Sequence, residues 1–471
     1  MQLANLRNFK FSNFSFYQYF FTAYIGLHVT FSILLGSITA FAPDETVYKS
    51  IFSRLYSAGF TSDVLGFNGS WEPWLRLIYL PAKLLTYVGF SDLIASRLLA
   101  ISYSTLATYL VIRVVKANNR DDLVFKIAII TISFIPTVFL WSSIGLRESF
   151  LYLEISAILY SYSRLKSSID VRNIFLLGFA IFSLAMTKNY IYILFLFATL
   201  ITLILFTFIN RKNFVNHLLV LSLTLLPLAV NPTLIPAISN YLLGQVEKVD
   251  TIEFGDINND GRCDSFEPCT SGNDNGNGNG NGNGNEDPVD YVATGGMTVH
   301  ALLDQLKGSP KTIVSRIASA LGITSKLEAI AKSAIIVQTD KSVVENQKKL
   351  SLQQAGIKKP LQVLESSAKF LLVPFIFIDN GSLFLNIQSI ETPVWLFIYG
   401  LFFVGLYQLA RRRREFDYAV MVATLFALEF VAISALTEIN VGTALRHRSL
   451  LLIPILVIWV ARKKTEVKKT N

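Results

Sequence analysis

The sequence predicts an all-α integral membrane protein of about ten transmembrane helices with both termini cytoplasmic. Three observations carry that expectation. Of 471 residues, 52% are hydrophobic and 36 are Phe, and the mean hydropathy is +0.47, a composition that does not suit a soluble globule. Apolar stretches recur at the length a bilayer core demands, roughly 20 residues per helix: 17–41, 92–112, 124–144, 149–163, 174–187, 190–210, 214–235, 392–410, 418–436 and 449–461. Finally, every second connection is basic. The cations fall at Arg7 and Lys10, then Arg113 to Lys126, Arg164 to Arg172, Arg211 and Lys212, Arg411 to Arg414, and Arg462 to Lys469. Lys and Arg are retained on the cytoplasmic side of short loops, so this alternation sets the orientation. The net charge of +9 is then a topological signal. It points to lipid headgroups and away from nucleic acid as a partner.

Taken in order, residues 1–235 form an N-terminal membrane bundle. Its first span is too long for the apolar region of a cleaved signal peptide and lacks a small-residue cleavage site, so it is expected to stay as a helix. The outer loop 42–90 holds two apolar stretches, 75–80 and 82–88, broken by Pro73 and Pro81. Both are short for spanning, and they read as helices lying in the outer interface, with Trp71 and Trp74 as anchors. Residues 236–391 form an outer insertion. An Asn/Gly tract at 272–285 cannot bury apolar surface and acts as a linker. From 297 to 370, apolar residues such as Val299, Leu302, Leu303, Leu306, Ile313, Ile317 and Leu321 recur at helical spacing. Residues 392–471 return to the membrane as the C-terminal helices.

Within the insertion, Asp256, Asn258, Asp260, Arg262, Asp264 and Glu267 mark a twelve-residue pattern with oxygen ligands at positions one, three, five, nine and twelve and Gly261 at six. That spacing resembles an EF-hand-type calcium loop, in which hard oxygens surround the ion and the glycine permits the turn. A solvated Asn/Asp turn is the alternative. The two cysteines, Cys263 and Cys269, lie beside it, and a disulfide between them is expected where the compartment is oxidising. Asn68-Gly69-Ser70 is a glycosylation sequon.

The chemistry-bearing residues are charges that the topology gathers at the outer face. Asp44 and Glu45 follow the first span, Arg147 and Glu148 join spans three and four, Lys188 joins spans five and six, and Arg446, His447 and Arg448 precede the last. Any one of these alone reads as a solvated helix cap or a snorkelling anchor. Together, an acid beside several cations at one membrane level suits transfer from a lipid-linked phosphate: the carboxylate takes the acceptor's proton and the cations hold the leaving phosphate. Glu154 and Glu429 fall inside predicted spans, where a carboxylate needs a partner or water. Glu154 shares a helix face with Arg147, seven residues earlier, which leaves a structural ion pair and a role toward substrate both open.

The segments Pro43-Asp44-Glu45, 134–148 with its Pro, Trp and Arg-Glu, and 440–448 ending in Arg446-His447-Arg448 resemble the GT-C class of polytopic glycosyltransferases and related bacterial polysaccharide-assembly proteins. The resemblance covers the membrane part, about two-thirds of the chain. It implies Asp44 as general base, the outer cations as the site of a polyprenyl-phosphate donor, and Glu45 as metal ligand or second carboxylate in a metal-dependent member. The calcium-like insertion and the Asn/Gly tract are not part of that pattern, and the Arg-His-Arg cluster equally suits a polymerase that handles lipid diphosphates. No Walker, Rossmann or HExxH motif is present, which argues against a soluble nucleotide donor. The expected function is transfer of a sugar from a polyprenyl-linked donor to a glycan or lipid-linked acceptor outside the cytoplasmic membrane. A repeat-unit polymerase or a non-enzymatic lipid-linked glycan flippase is the alternative.

Overall fold

The computed structural model of the chain describes residues 15–36, 72–117, 123–165, 170–209, 214–230, 292–293, 297–298, 360–373, 386, 388–411, 418–437 and 441–461. Asp44, Glu45, Asn68, the calcium-like loop 256–267 with Cys263 and Cys269, and the Asn/Gly linker lie outside them.

Helix α1 (Phe16–Leu35) opens at Ser15, whose N–H donates to Gln18 Oε1 at 2.5 Å, and ends at Gly36 with φ 53°. Helix α2 (Glu72–Tyr87) continues past Pro81, where two shorter pieces were expected. Pro73 falls in its first turn, where the missing N–H costs nothing, and Pro81 removes only one internal bond. Leu80, Leu84, Tyr87 and Val88 make an exposed apolar stripe along its outer side. The following α3 (Asp92–Ala117) packs antiparallel to α1. At one end Arg97, itself fully buried, donates to the carbonyls of Ser32 (3.2 Å) and Gly36 (2.8 Å), which the end of α1 would otherwise leave unpaired.

The expected span 124–144 is broken. Helix α4 (Leu123–Ser133) stops at Phe134–Ile135, and α5 (Pro136–Ser143) departs from it by 61°. Pro136 accounts for the break, because its ring would clash with a carbonyl one turn back and it donates no N–H. The Lys126 ammonium sits 5.3 Å from the ring of Phe16, so α1 and α4 begin at the same level. The far end of α5 is held against α1. There Ser143 Oγ donates to Phe139 O (2.7 Å), so His28 Nδ1 is the donor to Ser143 Oγ (2.6 Å), and Ser32 Oγ donates to Ser143 O (2.6 Å).

Helices α6 (Glu148–Leu165), α7 (Val171–Thr187), α8 (Asn189–Ile209) and α9 (Phe214–Val230) follow, with α6 packed on α3 and α7. Within residues 236–391 a two-residue antiparallel pair, β1 (Val292–Ala293) with β2 (Met297–Thr298), brings Val292 opposite Thr298. Residues 297–298, expected to begin the helical part, are strand instead. Gly295-Gly296 between the two strands suits a tight reversal better than a helix start. Further on, α10 (Pro360–Leu372) is helical as expected and buries Phe370. It packs on α12 (Tyr418–Thr437) and α11 (Thr392–Arg411), and the chain closes with α13 (Val441–Arg448), a single 3-10 turn (Ser449–Leu451) and α14 (Leu452–Ala461).

The core is apolar and aromatic, centred where Phe195 of α8 stacks on Phe426 of α12 at 3.9 Å. Several of its buried hydroxyls are tied to one another and to backbone, as Tyr162 is to Thr199 (3.1 Å) and Tyr192 to Thr224 O (2.7 Å), which offsets the cost of burying them, about 2–7 kcal/mol for an unpaired group; Ser156, Ser161 and Ser434 Oγ have no hydrogen-bond partner among the described residues. Four helices are long and apolar enough to cross a membrane, Phe16–Leu35, Asp92–Val114, Thr392–Arg411 and Tyr418–Ala435, and the bent α4–α5 pair makes a fifth if counted as one span. Val171–Thr187, Asn189–Leu205 and Leu218–Val230 are apolar but shorter. The apolar helices are compatible with a membrane protein and with lipid contact. By length and composition the spans number four to five among the described residues, against about ten expected.

Candidate functional site

Two chain connections and the end of a short helix converge at one end of the bundle. After α5 the backbone extends through Ile144 and turns into α6 at Glu148. Between α7 and α8 the only residue is Lys188, which caps α7 by donating its N–H to Leu184 O at 2.9 Å and has φ −153° and ψ 86°. The third contribution is the last turn of α13, which carries Arg446, His447 and Arg448.

Glu148 lies at the bottom, 1% exposed, with Arg446 Nε 3.1 Å from its Oε1. Above it Lys188 Nζ approaches His447 Nε2 at 3.2 Å, and the Tyr190 hydroxyl is 3.4 Å from either ring nitrogen of His447. Two aromatic faces complete the walls: Trp141 of α5 lies 5.9 Å from the Arg446 guanidinium, and Tyr190 lies 5.3 Å from the Lys188 ammonium. Burial pushes the Glu148 carboxyl up, but the positive charges of Arg446, Arg147, Lys188 and, in its protonated form, His447 outweigh it and hold the group below the usual carboxylate range. Glu148 is therefore ionised. Arg147, Lys188 and Arg446 are partly exposed while Glu148 and His447 are buried. The site thus presents cations outward over a buried anion, a geometry that attracts a negatively charged group from outside.

One turn deeper, the hydroxyls of Tyr152 and Ser449 are hydrogen-bonded to each other on the wall of a cavity of about 60 Å³. Tyr24, Ser104, Thr108 and Leu456 also line it, so it lies among α1, α3, the broken pair, α6 and α14.

Arg448, two residues past Arg446, is engaged elsewhere. Fully buried, it donates from Nη1 to Leu371 O (2.8 Å) and Val373 O (3.1 Å) at the end of α10, and its guanidinium lies 4.6 Å from the Trp395 ring. Beside it Glu391 accepts from the Thr137 N–H (2.5 Å), from the Thr137 hydroxyl, and from Trp395 Nε1 (3.3 Å). Glu391 thereby caps α5, which has no side-chain cap of its own at Ile135. Burial pushes the Glu391 carboxyl up, against the hydrogen bonds from Thr137 and the charge of Arg448. The Arg448 guanidinium is likewise pushed down by burial and supported by Tyr399 and Glu391.

Of the eight residues expected at the outer face, the structure brings Arg147, Glu148, Lys188, Arg446 and His447 together, and seats Arg448 next to them on the carbonyls of Leu371 and Val373 at the end of α10. Asp44 and Glu45 are among the undescribed residues. Glu391 and Tyr190 were not singled out, and Trp141 was noted only as part of the segment 134–148. Glu391 could have been found by the criterion that selected Asp44, a carboxylate directly at the edge of a span. Within the helices, Glu154 accepts from Ser183 Oγ and from Thr187 Oγ1 (2.9 Å), both on α7, and Glu429 Oε2 is buried with no hydrogen-bond partner among the described residues. Among those residues no three His, Cys, Asp or Glu side chains form a group that could hold a metal. Comparison with protein-family models, with curated proteins and with solved structures finds no match.

Proposed function

We propose that this chain is a membrane glycosyltransferase of the GT-C type, moving a sugar from a polyprenyl-linked phosphate donor to a glycan or lipid-linked acceptor at the outer face of the cytoplasmic membrane. The observation that carries the reading is the convergence of Arg147, Lys188 and Arg446 from two connections and the end of α13 onto buried, ionised Glu148. In this reading the acceptor hydroxyl attacks the anomeric carbon and passes its proton to Asp44. The bond from that carbon to the phosphate oxygen breaks with its electron pair on the oxygen, and the three cations hold the charge that develops there. Glu45 serves as second carboxylate, or as metal ligand if a divalent metal takes part. The membrane carries ten crossings with both termini cytoplasmic, α4 and α5 sharing one, and α2 lies in the outer interface with its apolar stripe in lipid. The test is transfer by the purified full chain from a synthetic polyprenyl-phosphate sugar. Absence of transfer to any glycan acceptor, with donor bound, removes the enzymatic reading.

One observation favours a second reading, a lipid-linked glycan flippase: the 61° break between α4 and α5 beside a cavity in the bundle. Discontinuous helices at membrane depth recur in transporters. Movement of a fluorescent lipid-linked glycan across proteoliposomes without sugar transfer would select it.

Both readings require the cluster to face outward. A single cysteine at position 188, in a background lacking Cys263 and Cys269, should react with a membrane-impermeant maleimide from the outer side. Reaction only from the cytoplasmic side removes the common outer site.

The calcium-like loop is assigned the role of stapling the outer insertion. Removing Asp256 and Glu267 takes away the entry ligand and the bidentate one, so Asp256→Ala with Glu267→Ala should abolish calcium binding to the full chain in isothermal titration. Equal heats for parent and double variant would leave a solvated turn.

A further inference from the structure

We propose that Glu154 is a proton-binding site inside the helix bundle, and that the proton it carries ties α6 to α7 beneath the outer cluster. Glu154 is 2% exposed, and its hydrogen bonds fall on one oxygen only. Oε1 meets the hydroxyls of Ser183 and, at 2.9 Å, of Thr187, whereas Oε2 is buried with no hydrogen-bond partner among the described residues. A carboxylate spreads its charge equally over both oxygens, so burying one of them unpaired is costly. A carboxylic acid is unequal in the way this site is. One oxygen is a hydroxyl that donates and accepts, and the other is a neutral carbonyl, for which lacking a partner costs far less than for an ion.

The protons of the neighbours agree. The Thr187 hydroxyl has one proton and two acceptors at 2.9 Å, Glu154 Oε1 and Ser183 O. With a proton on Glu154 Oε1 every contact forms at once: Glu154 donates to Thr187, Thr187 donates to Ser183 O, and Ser183 Oγ donates to Glu154 Oε1. Both hydroxyls touch Oε1 directly, so the space between these oxygens suits a proton and is too small for a metal ion. The Arg147 charge, seven residues earlier on α6, and the Tyr103 hydroxyl of α3 act on Glu154 through space, while its hydrogen bonds go to α7 alone. Of the other elements packed on α6, α5 and α14 carry no titratable side chain, and α7 has Arg172 in its first turn, at the far end from Thr187. From α12 come Tyr418, which meets Tyr162 further along α6, and Glu429. Location gives the site its consequence. Helix α6 starts at Glu148 and α7 ends at Thr187, next to Lys188, so this contact joins the two helices that deliver Glu148 and Lys188 to the outer cluster. An anion at Glu154 weakens the joint, and a proton restores it.

The experiment uses the full chain in lipid nanodiscs and infrared spectroscopy, which separates the C=O stretch of a protonated carboxyl from the bands of a carboxylate. Wild type should show a protonated-carboxyl band at neutral pH that is lost at alkaline pH, and Glu154→Gln should lack that band throughout. Ser183→Ala keeps the carboxyl and removes one hydrogen bond, so the band should shift without vanishing; this variant decides the matter if Glu154→Gln does not fold. The thermal transition should fall with rising pH more steeply in wild type than in Glu154→Gln, because the fold keeps a proton that the unfolded chain has released. Asp44, Glu45, Glu148, His447 and Glu429 are present in both proteins and cancel in that difference. A wild-type spectrum with no protonated-carboxyl band at neutral pH overturns the assignment. So does a band of equal size in Glu154→Gln, or one unmoved in Ser183→Ala.

Discussion

Asp44→Asn is expected to reduce sugar transfer by about 10²- to 10⁴-fold, the usual scale for losing a general base, while donor binding persists. The amide keeps the shape of the carboxylate and removes its basicity. Asp44 directly follows the first span in Phe41-Ala42-Pro43-Asp44-Glu45. The partners it needs are the three cations above Glu148, because a base acts only if the leaving phosphate is held at the same level. Transfer measured on purified protein, alongside donor binding and a thermal melt, separates a lost base from a lost fold. Full activity in Asp44→Asn removes Asp44 from the mechanism.

The second large effect divides two arginines that the sequence presents as one cluster. Arg448→Ala should destabilise the protein by about 1–3 kcal/mol for each buried carbonyl left without its donor. It strips the end of α10 of the donor to Leu371 O and Val373 O and removes a positive charge near buried Glu391. Donor affinity, measured below the transition temperature, should change little. Arg446→Ala should do the opposite. Arg446 is 15% exposed and meets charge present both before and during transfer, so donor affinity and turnover should fall together, by roughly ten- to a hundredfold for one lost charged hydrogen bond. Part of any stability loss comes from Glu148 left buried beneath it. The double variant Arg446→Ala with Glu148→Gln should therefore recover the thermal transition without recovering donor binding. A loss of binding in Arg448→Ala matching that in Arg446→Ala, with the fold intact, would return Arg448 to the phosphate clamp.

These predictions mark the line between what is local and what is not. Helix positions were legible because hydropathy and basic flanks act within one segment. The stretches 392–410 and 418–436 became α11 and α12 almost unchanged, whereas the stretch 124–144, read as one span, is instead parted at Pro136 into α4 and α5. That Arg147, Lys188 and Arg446 meet was legible too, since the alternation of basic connections groups the three loops that carry them. The division of labour among them was not. Whether Arg446 or Arg448 faces the open site depends on the rotation of α13, which packing against α10 and α5 decides, and neighbouring helix residues differ by about 100° in direction. Glu391 reaches Thr137 across 254 residues, and Lys188 reaches His447 across 259. No periodicity within either segment encodes such pairs. Sequence by itself determined which segments are apolar, where they end and which ends carry charge, because those depend on composition over a few turns. Tertiary structure alone decided which carboxylate lies buried under which cation, because burial and pairing exist only once the helices are packed.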